Sequence, residues 1–159
     1  MHCEIRTIVS HSQLAIFAKN IENPFNDWTE RHALQGFSWR PGSVSFRTIA
    51  ESGEHIIDVL VCDQLPHPMP EAVHAIEVPF DVPPNGGVEV GSIIETTPVP
   101  LKGGAYLLRC EFLQPRGEIG TRGRLTFARA ESPRFFVVRA DSELSVGHEL
   151  LKTAKPAVS

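Results

Sequence analysis

Apolar and polar residues alternate along most of this chain, and prolines and glycines separate the alternating segments. Successive side chains of a β-strand point to opposite faces, so a period of two is typical of a strand with one buried face. The clearest alternating apolar positions are Leu14, Ile16 and Ala18, Ile76, Val78, Phe80 and Val82, Val88, Val90 and Ile94, and Tyr106, Leu108, Cys110 and Phe112. Thirteen prolines and twelve glycines fit the many turns that such strands need. The sequence therefore predicts an all-β fold, a two-layer antiparallel β-sandwich with one short helix.

The length of the chain favours a single domain, because 159 residues can bury roughly two thirds of the unfolded surface. We expect residues 1–148 to form one β-sandwich domain and residues 149–159, which offer little to bury, to form a flexible C-terminal tail. Residues 56–62 are nearly all apolar, which is typical of a central strand. Pro79 has no N–H, so its strand is expected at a sheet edge or at a bulge.

One short helix is predicted between the first strands and the rest of the chain. Asp27 is the expected N-cap, and Glu30 three residues later completes a capping box. Gly36 suits the position just past the helix end. Trp28, beside the cap, is interpreted as a core residue, with a role at an interface as the alternative.

The cysteines and histidines form no recognisable metal or catalytic motif. Cys3, Cys62 and Cys110 are odd in number and lack CxxC spacing, which argues against disulfides and zinc, and the last two are predicted to be buried in strands. The seven histidines are scattered without an HxH or HExxH spacing. The sequence also lacks a nucleophile elbow and a phosphate-binding glycine loop. We therefore expect no catalytic residue, no metal and no cofactor.

The charge balance limits the classes of partner. The formal net charge is −4, whereas nucleic-acid-binding proteins usually carry a basic stripe, so direct nucleic-acid binding is not expected. The N-terminus lacks the pattern of a signal peptide, and no segment approaches the ~20 apolar residues of a membrane span. The sequence predicts a cytoplasmic protein without membrane contact.

Four segments, taken in order, resemble a known protein family. They read VSHSQLAIFAK at residues 9–19, DWT with an acidic helix start and then GSVSF within residues 27–46, VPFDV and VEVGSI within residues 78–93, and LKGGAYLLRC at residues 101–110. Their order is similar to that of the competence protein J family, inhibitors of a DNA-entry nuclease. The resemblance implies a non-catalytic inhibitor, competence-associated or immunity-type, whose partner is a DNA-entry or toxin-type nuclease.

An inhibitor of this kind needs carboxylates that enter a basic cleft and an aromatic or arginine anchor. The candidate contact residues are Asp27, Glu30, Glu51 and Glu54, with Trp39 as the aromatic anchor. A binding module on the same fold, for a small ligand, nucleic acid or lipid surface, is the alternative, and a hydrolase with a site assembled from distant residues is a third possibility. The sequence fixes neither the target nuclease nor the oligomeric state.

Arginines dominate the last part of the chain, beyond the segments that carry the resemblance. They are Arg116, Arg122, Arg124, Arg129, Arg134 and Arg139. Three interpretations stay open: these side chains pair with the acidic residues, face a different partner, or bind nucleic acid.

Overall fold

Strands dominate the computed structural model, which describes residues 1–115, 121–130, 132–145 and 149–157. Within these ranges the strands are β1 (His2–Val9), β2 (Gln13–Ala18), β3 (Phe37–Arg40), β4 (Ser43–Arg47), β5 (Gly53–Cys62), β6 (Ala72–Val82), β7 (Val88–Gly91), β8 (Thr96–Val99), β9 (Gly104–Leu113), β10 (Thr121–Arg129) and β11 (Phe136–Arg139). One helix, α1 (Glu30–Gln35), lies between β2 and β3. None of the described residues belongs to a helix long enough to cross a membrane.

The strands form two sheets. The six-stranded sheet has the order β1-β5-β10-β9-β6-β11, and the five-stranded sheet has the order β3-β4-β2-β7-β8. Neighbouring strands are antiparallel except for β10 and β5, which run parallel with Thr121 opposite His55. The predicted β-sandwich with one short helix is confirmed, but its larger sheet is mixed, not purely antiparallel. Alternation reveals a buried face and not a strand direction, so this parallel pair could not be foreseen.

The inner faces of the two sheets share one hydrophobic core. In β6, for example, the alternating residues Ile76, Val78 and Phe80 are all buried. The fully buried aromatic side chains are Phe37, Phe46, Phe80, Tyr106, Phe112 and Phe127. The rings of Phe80 and Tyr106 meet Phe127 edge-on, with centroid distances of 6.1 and 5.9 Å. Burial of each such side chain contributes roughly 1.5–3 kcal/mol, which holds the two layers together.

The helix is capped by Thr29, two residues later than the sequence predicted. The backbone N–H of Thr29 donates to Nδ1 of His32 over 3.0 Å, and the N–H of His32 donates back to Oγ1 of Thr29 over 3.4 Å. The predicted capping box of Asp27 and Glu30 is therefore wrong, because the N–H of Asp27 pairs with a backbone carbonyl of the C-terminal segment. Gly36 ends the helix with a φ of 90°, as expected of a left-handed C-terminal glycine.

Residues 149–157 pack against the helix and the segment before it. The side chain of Gln35 donates to the carbonyl of Leu151 and accepts from its N–H, over 2.9 and 2.8 Å. Asn26 and Pro156 form an antiparallel bridge. The flexible tail expected over residues 149–159 stays a prediction, and the described part of this segment, residues 149–157, has these hydrogen-bond partners. Backbone hydrogen bonds hold it in place, and they leave no trace in a hydrophobic pattern.

Pro79 lies on a part of β6 that β11 does not reach, because β11 pairs only with residues 75–77. On this side of β6 the carbonyl of Pro79 accepts a bond from the side chain of Trp39 and not from a neighbouring strand. This agrees with the edge position expected from the missing N–H. Among the cysteines, Cys110 is buried as predicted, but Cys62 is only half-buried because it ends β5.

Candidate functional site

The five predicted contact residues do not form one patch. Glu54 lies at the start of β5, where its carboxylate is 3.1 Å from Nη1 of Arg6 on the edge strand β1. Glu51 lies in the loop just before β5. Asp27 and Glu30 flank the start of α1, which contacts β3 at the edge of the other sheet. All four carboxylates are exposed, but they divide between two regions of the surface.

Trp39 makes its contacts inside the fold. Its Nε1 donates to the carbonyl of Pro79 over 2.7 Å, which joins β3 of one sheet to β6 of the other. Its ring meets Phe135 edge-on with a centroid distance of 4.9 Å. Because its one polar atom is already bonded and the side chain is half-buried, Trp39 ties the two layers together where the sequence suggested an aromatic anchor for a partner.

Two carboxylates on the outer face of the six-stranded sheet account for several of the arginines. Glu77, only 1% exposed, accepts from Arg109 over 2.9 Å and from Arg134 over 3.1 Å. Glu111, with no exposed surface, accepts from Arg124 over 3.0 Å. Buried carboxylates need such partners, because an unpaired charge is costly in the protein interior.

The proline-rich loop between β5 and β6, residues 64–70, covers these ion pairs. Nη1 of Arg109 donates to the carbonyl of Pro66, and the N–H of Met69 donates to the carboxylate of Glu111 over 2.7 Å. Arg139 donates to three carbonyls at the end of the loop, including that of Met69. This arginine cluster therefore fixes a loop to the sheet.

The other arginines of the segment are not grouped. Arg122 lies 3.8 Å from Glu4 on the surface, and Arg129 lies over the ring of Tyr106. Arg116 falls outside the described residues. The interpretation that these arginines pair with acidic residues thus holds for Arg122, Arg124 and Arg134, while Arg129 belongs to a different feature described below.

The most exposed large apolar side chains of the described chain lie together in the turn between β7 and β8. Ile93 is 62% exposed and Ile94 is 61% exposed. The alternation in the sequence predicts that Ile94 lies on the apolar face of a strand, and it does not predict this turn. Two consecutive isoleucines break the period of two, and that break is the signal that could have revealed it.

Hydrogen bonds hold the isoleucine turn against β1. The hydroxyl of Ser92 donates to the carbonyl of Ile8 over 2.6 Å and accepts from the N–H of Ile94 over 3.2 Å. The carboxylate of Glu95 accepts from the N–H of Ile8 over 3.3 Å. Gly91 begins the turn, and a Cβ at this position would collide with the carbonyl of Glu95. The turn is therefore built to present both isoleucines in a fixed position.

Three carboxylates, those of Glu51, Glu54 and Glu95, lie at the same end of the sandwich as the isoleucine turn. Ile8 stands between the turn on one side and Glu54, its register partner in β5, on the other. Glu51 is close by, because its carbonyl accepts from the N–H of Ser12 in the β1–β2 turn. We call this surface, formed by Glu51, Glu54 and residues 92–95, the acidic end.

A cleft of about 1050 Å³ opens at the opposite end of the sandwich. Three cationic side chains line it: Lys19 at the end of β2, Lys102 before β9 and Arg129 at the end of β10. The cleft takes its shape from two glycine turns, residues 83–88 and 101–104, both within segments that carried the family resemblance. We call this feature the basic cleft.

One hydroxyl–imidazole pair lies in the β1–β2 turn. Oγ of Ser10 is 2.6 Å from Nδ1 of His11, because the chain turns at His11 and does not continue as a strand. No third side chain orients this imidazole among the described residues. Over the same part of the chain, no three His, Cys, Asp or Glu side chains gather as metal ligands.

A buried histidine–carboxylate pair ties the segment after β11 to β6. Nε2 of His74 is 2.9 Å from the carboxylate of Asp141. Burial alone would raise the pKa of Asp141, but the bonds from His74 and from the N–H of Glu143 outweigh it and lower that pKa. The arrangement is that of a structural hydrogen bond between the two side chains.

Comparisons with known proteins identify one matching family and two structures of similar fold. A sequence profile described as Competence protein J (ComJ) matches residues 6–128. The crystal structure of ComJ, inhibitor of the DNA degrading activity of NucA, from Bacillus subtilis is similar, with a TM-score of 0.68 and 20% identity over 82% of this chain and 96% of that chain. The structure named Crocagin biosynthetic gene J is also similar, with a TM-score of 0.59 and 14% identity over 81% of this chain and 97% of that chain. At these identities the two structures support a shared fold.

No curated protein matches the sequence significantly. The profile match, by contrast, covers more than half of the chain and includes both the isoleucine turn and the glycine turns of the basic cleft. This chain belongs to the competence protein J family.

Proposed function

We propose that this chain is a non-catalytic protein inhibitor of a DNA-degrading nuclease, acting in the cytoplasm, either as a competence factor or as an immunity protein. The observation that carries the proposal is the family match over residues 6–128, because a solved structure of similar fold is ComJ, the inhibitor of the DNA degrading activity of NucA. The nuclease is the partner, and inhibition requires only that its active cleft be covered.

The acidic end is the contact surface that the geometry supports best. Ile93 and Ile94 supply an exposed apolar centre. Glu51 supplies negative charge at this end, and so does Glu54, whose carboxylate also pairs with Arg6. Interfaces combine buried apolar anchors with a charged rim, and a nuclease cleft that binds phosphates is positively charged. Among the residues first expected at the contact, we retain Glu51 and Glu54. Trp39 packs inside the fold, and Asp27 and Glu30 lie beside the other edge.

A binding experiment with two matched variants tests this surface. The full chain is titrated into NucA of Bacillus subtilis and into the DNA-degrading nuclease encoded nearest to its own gene. Ile93→Ser with Ile94→Ser removes two anchors, which should weaken binding by roughly 2–3 kcal/mol, or about a hundredfold. Phe136→Ser, which changes a 48% exposed side chain on β11, is the control and should bind as the wild type does.

The outcomes distinguish the proposed inhibitor function from the proposed contact surface. Binding by the wild type that the isoleucine variant loses supports both the function and the surface. Equal binding by all three proteins places the contact elsewhere and leaves the inhibitor function standing. A wild-type chain that binds neither nuclease contradicts the function itself.

A further inference from the structure

We propose that the basic cleft is a second binding site, which takes an acidic peptide segment whose carboxylates alternate with apolar side chains. This site lies at the opposite end of the sandwich from the acidic end and is independent of the proposed contact with a nuclease. The ligand class follows from three properties of the cleft: its cations, its apolar walls and its single, covered aromatic ring.

The three cations are available to an anionic ligand. Lys19, Lys102 and Arg129 are exposed, and none of them forms an ion pair with another described residue. The acidic residue in the lining, Glu89, accepts a hydrogen bond from Thr96 over 3.0 Å. Carboxylates of a ligand can therefore pair with these three cations, and charge-assisted hydrogen bonds to them are among the stronger polar contacts.

The fold holds two of these cations over glycines. The guanidinium of Arg129 lies 5.3 Å from the ring centroid of Tyr106 and close above Gly104, where a Cβ would be 3.1 Å from Nη1. The stem of Lys19 runs over Gly87, where a Cβ would be 3.6 Å from Cδ. The contact with Tyr106 limits the positions of Arg129 before a ligand arrives, so this side chain loses less entropy when the ligand binds.

The walls of the cleft are apolar, which a small inorganic anion would not use. They are formed by Val61, Pro84, Pro98, Val99, Pro100 and Leu101. A volume of about 1050 Å³ is at the upper end of the range for ligand pockets, so it suits a chain of several residues. A peptide with apolar side chains between its carboxylates satisfies both the walls and the cations.

The aromatic ring of the cleft argues against single-stranded nucleic acid as the ligand. Proteins that bind single strands stack bases on exposed aromatic faces. Tyr106 has no exposed surface, its ring is covered by Arg129, and its hydroxyl donates to the carbonyl of Lys102 over 2.7 Å. The lining therefore offers a base no free stacking surface.

Close backbone packing of the two glycine turns gives the cleft its shape. A Cβ on Gly86 would lie 2.6 Å from the carbonyl oxygen of Leu101, and a Cβ on Gly103 would lie 2.6 Å from that of Pro83. The N–H of Gly87 donates to the carbonyl of Leu101 over 2.8 Å. The glycines are thus needed for the turns to interlock, and the interlocked turns set Lys102 beside Arg129.

Selection from a random heptapeptide display library tests the site without a known ligand. The immobilised full chain should enrich peptides in which Asp or Glu alternates with apolar residues. The double variant Lys102→Gln with Arg129→Gln should bind the leading peptide about tenfold more weakly, since it loses two charge-assisted contacts. A control with the same change in charge, Lys152→Gln with Lys155→Gln, alters lysines outside the cleft and should bind as the wild type does.

Three results would overturn the proposal. The first is a selection that enriches no sequence, or sequences without carboxylates. The second is an equal loss of affinity in both double variants, which would indicate only a general effect of net charge. The third is competition from the oligonucleotide (dT)10 at concentrations lower than those at which the leading peptide binds, which would assign the cleft to nucleic acid.

Discussion

The guanidinium of Arg109 lies 2.9 Å from the carboxylate of Glu77, and the two residues face each other directly in neighbouring strands β9 and β6. Both are almost completely buried although they lie on the outer face of the sheet, because the proline-rich loop covers them. The same arrangement recurs one step further, where Arg124 faces Glu111 across β10 and β9. The charged side chains in this part of the protein therefore hold neighbouring strands and the covering loop together.

Removal of Arg109 alone should be strongly destabilising. Arg109→Met leaves the carboxylate of Glu77 buried with only the exposed Arg134 as a partner, so the free energy of unfolding should fall by about 3–5 kcal/mol. Arg122→Met, which breaks a 3.8 Å surface pair, is the control and should change it by at most about 1 kcal/mol. Urea unfolding curves measure both. Equal effects in the two variants would show that water reaches the pair of Arg109 and Glu77 beneath the loop.

Substitution of Trp39 should reduce stability more than nuclease affinity. Trp39→Phe keeps an aromatic ring against Phe135 but loses the bond to the carbonyl of Pro79, which should lower the free energy of unfolding by about 1 kcal/mol. Thermal melts and nuclease titrations are compared for the same preparation. An unchanged melting temperature with a large loss of affinity would make Trp39 an interface anchor, as the sequence first suggested.

Stability should decline as the pH falls from 7 to 5, in part because of His55. Burial lowers the pKa of His55, against the opposing effect of its bond to the carbonyl of Gly53. In the unfolded chain His55 is therefore protonated near pH 6.5, whereas in the folded chain it stays neutral to a lower pH. The free energy of unfolding consequently falls as the pH drops below about 6.5. His55→Leu should flatten this part of the profile, measured by denaturant unfolding at each pH. An unaltered slope in the variant would remove His55 as a cause.

A second loss of stability should follow at lower pH through Asp141. Its pKa is lowered in the folded protein, so its contribution is present above the unfolded value near 3.8 and is lost as the pH falls through the folded value. Asp141→Asn should remove this step and leave the step near pH 6.5 intact. A variant that keeps the acid-side step would show that other carboxylates cause it.

Charge reversal at the acidic end should slow the association with a nuclease. Glu51→Lys with Glu54→Lys should lower the association rate constant about tenfold at low salt, and the difference should shrink as salt is added. Asp63→Lys with Glu71→Lys makes the same change of charge in exposed residues on either side of the proline-rich loop. Stopped-flow mixing measures the rates. Equal slowing in both variants would mean that net charge alone steers the encounter, without a defined surface.

The sequence predicted those parts of the fold that depend on local patterns. Alternation located strands such as β6 and β9, and Gly36 was placed correctly at the end of the helix. The helix start was wrong, because His32 fills a position where Glu or Gln is usual in a capping box. The hydrogen bonds of the C-terminal segment could not be predicted, because its partners, such as Gln35, are more than a hundred residues away along the chain.

The candidate site could be predicted less well than the fold from the sequence. The pairing of Arg109 with Glu77 depends on the register between two strands, and no local pattern specifies a register. Glu51 and Glu54 precede Ile93 and Ile94 by roughly forty residues in the chain. They lie at the same end of the sandwich because β1 contacts both β5 and the isoleucine turn. Which acidic residues share a surface is a property of the tertiary structure.

The most direct test of the inhibitor function is the rate at which DNA is degraded by the nuclease encoded nearest to this chain's gene, measured with increasing amounts of the full chain. We expect degradation to fall to the background rate at about one inhibitor per nuclease. Raising the DNA concentration alone should not produce this fall, and Ile93→Ser with Ile94→Ser should require about a hundredfold more inhibitor for the same effect. Undiminished degradation in the presence of excess folded wild-type chain would contradict the account.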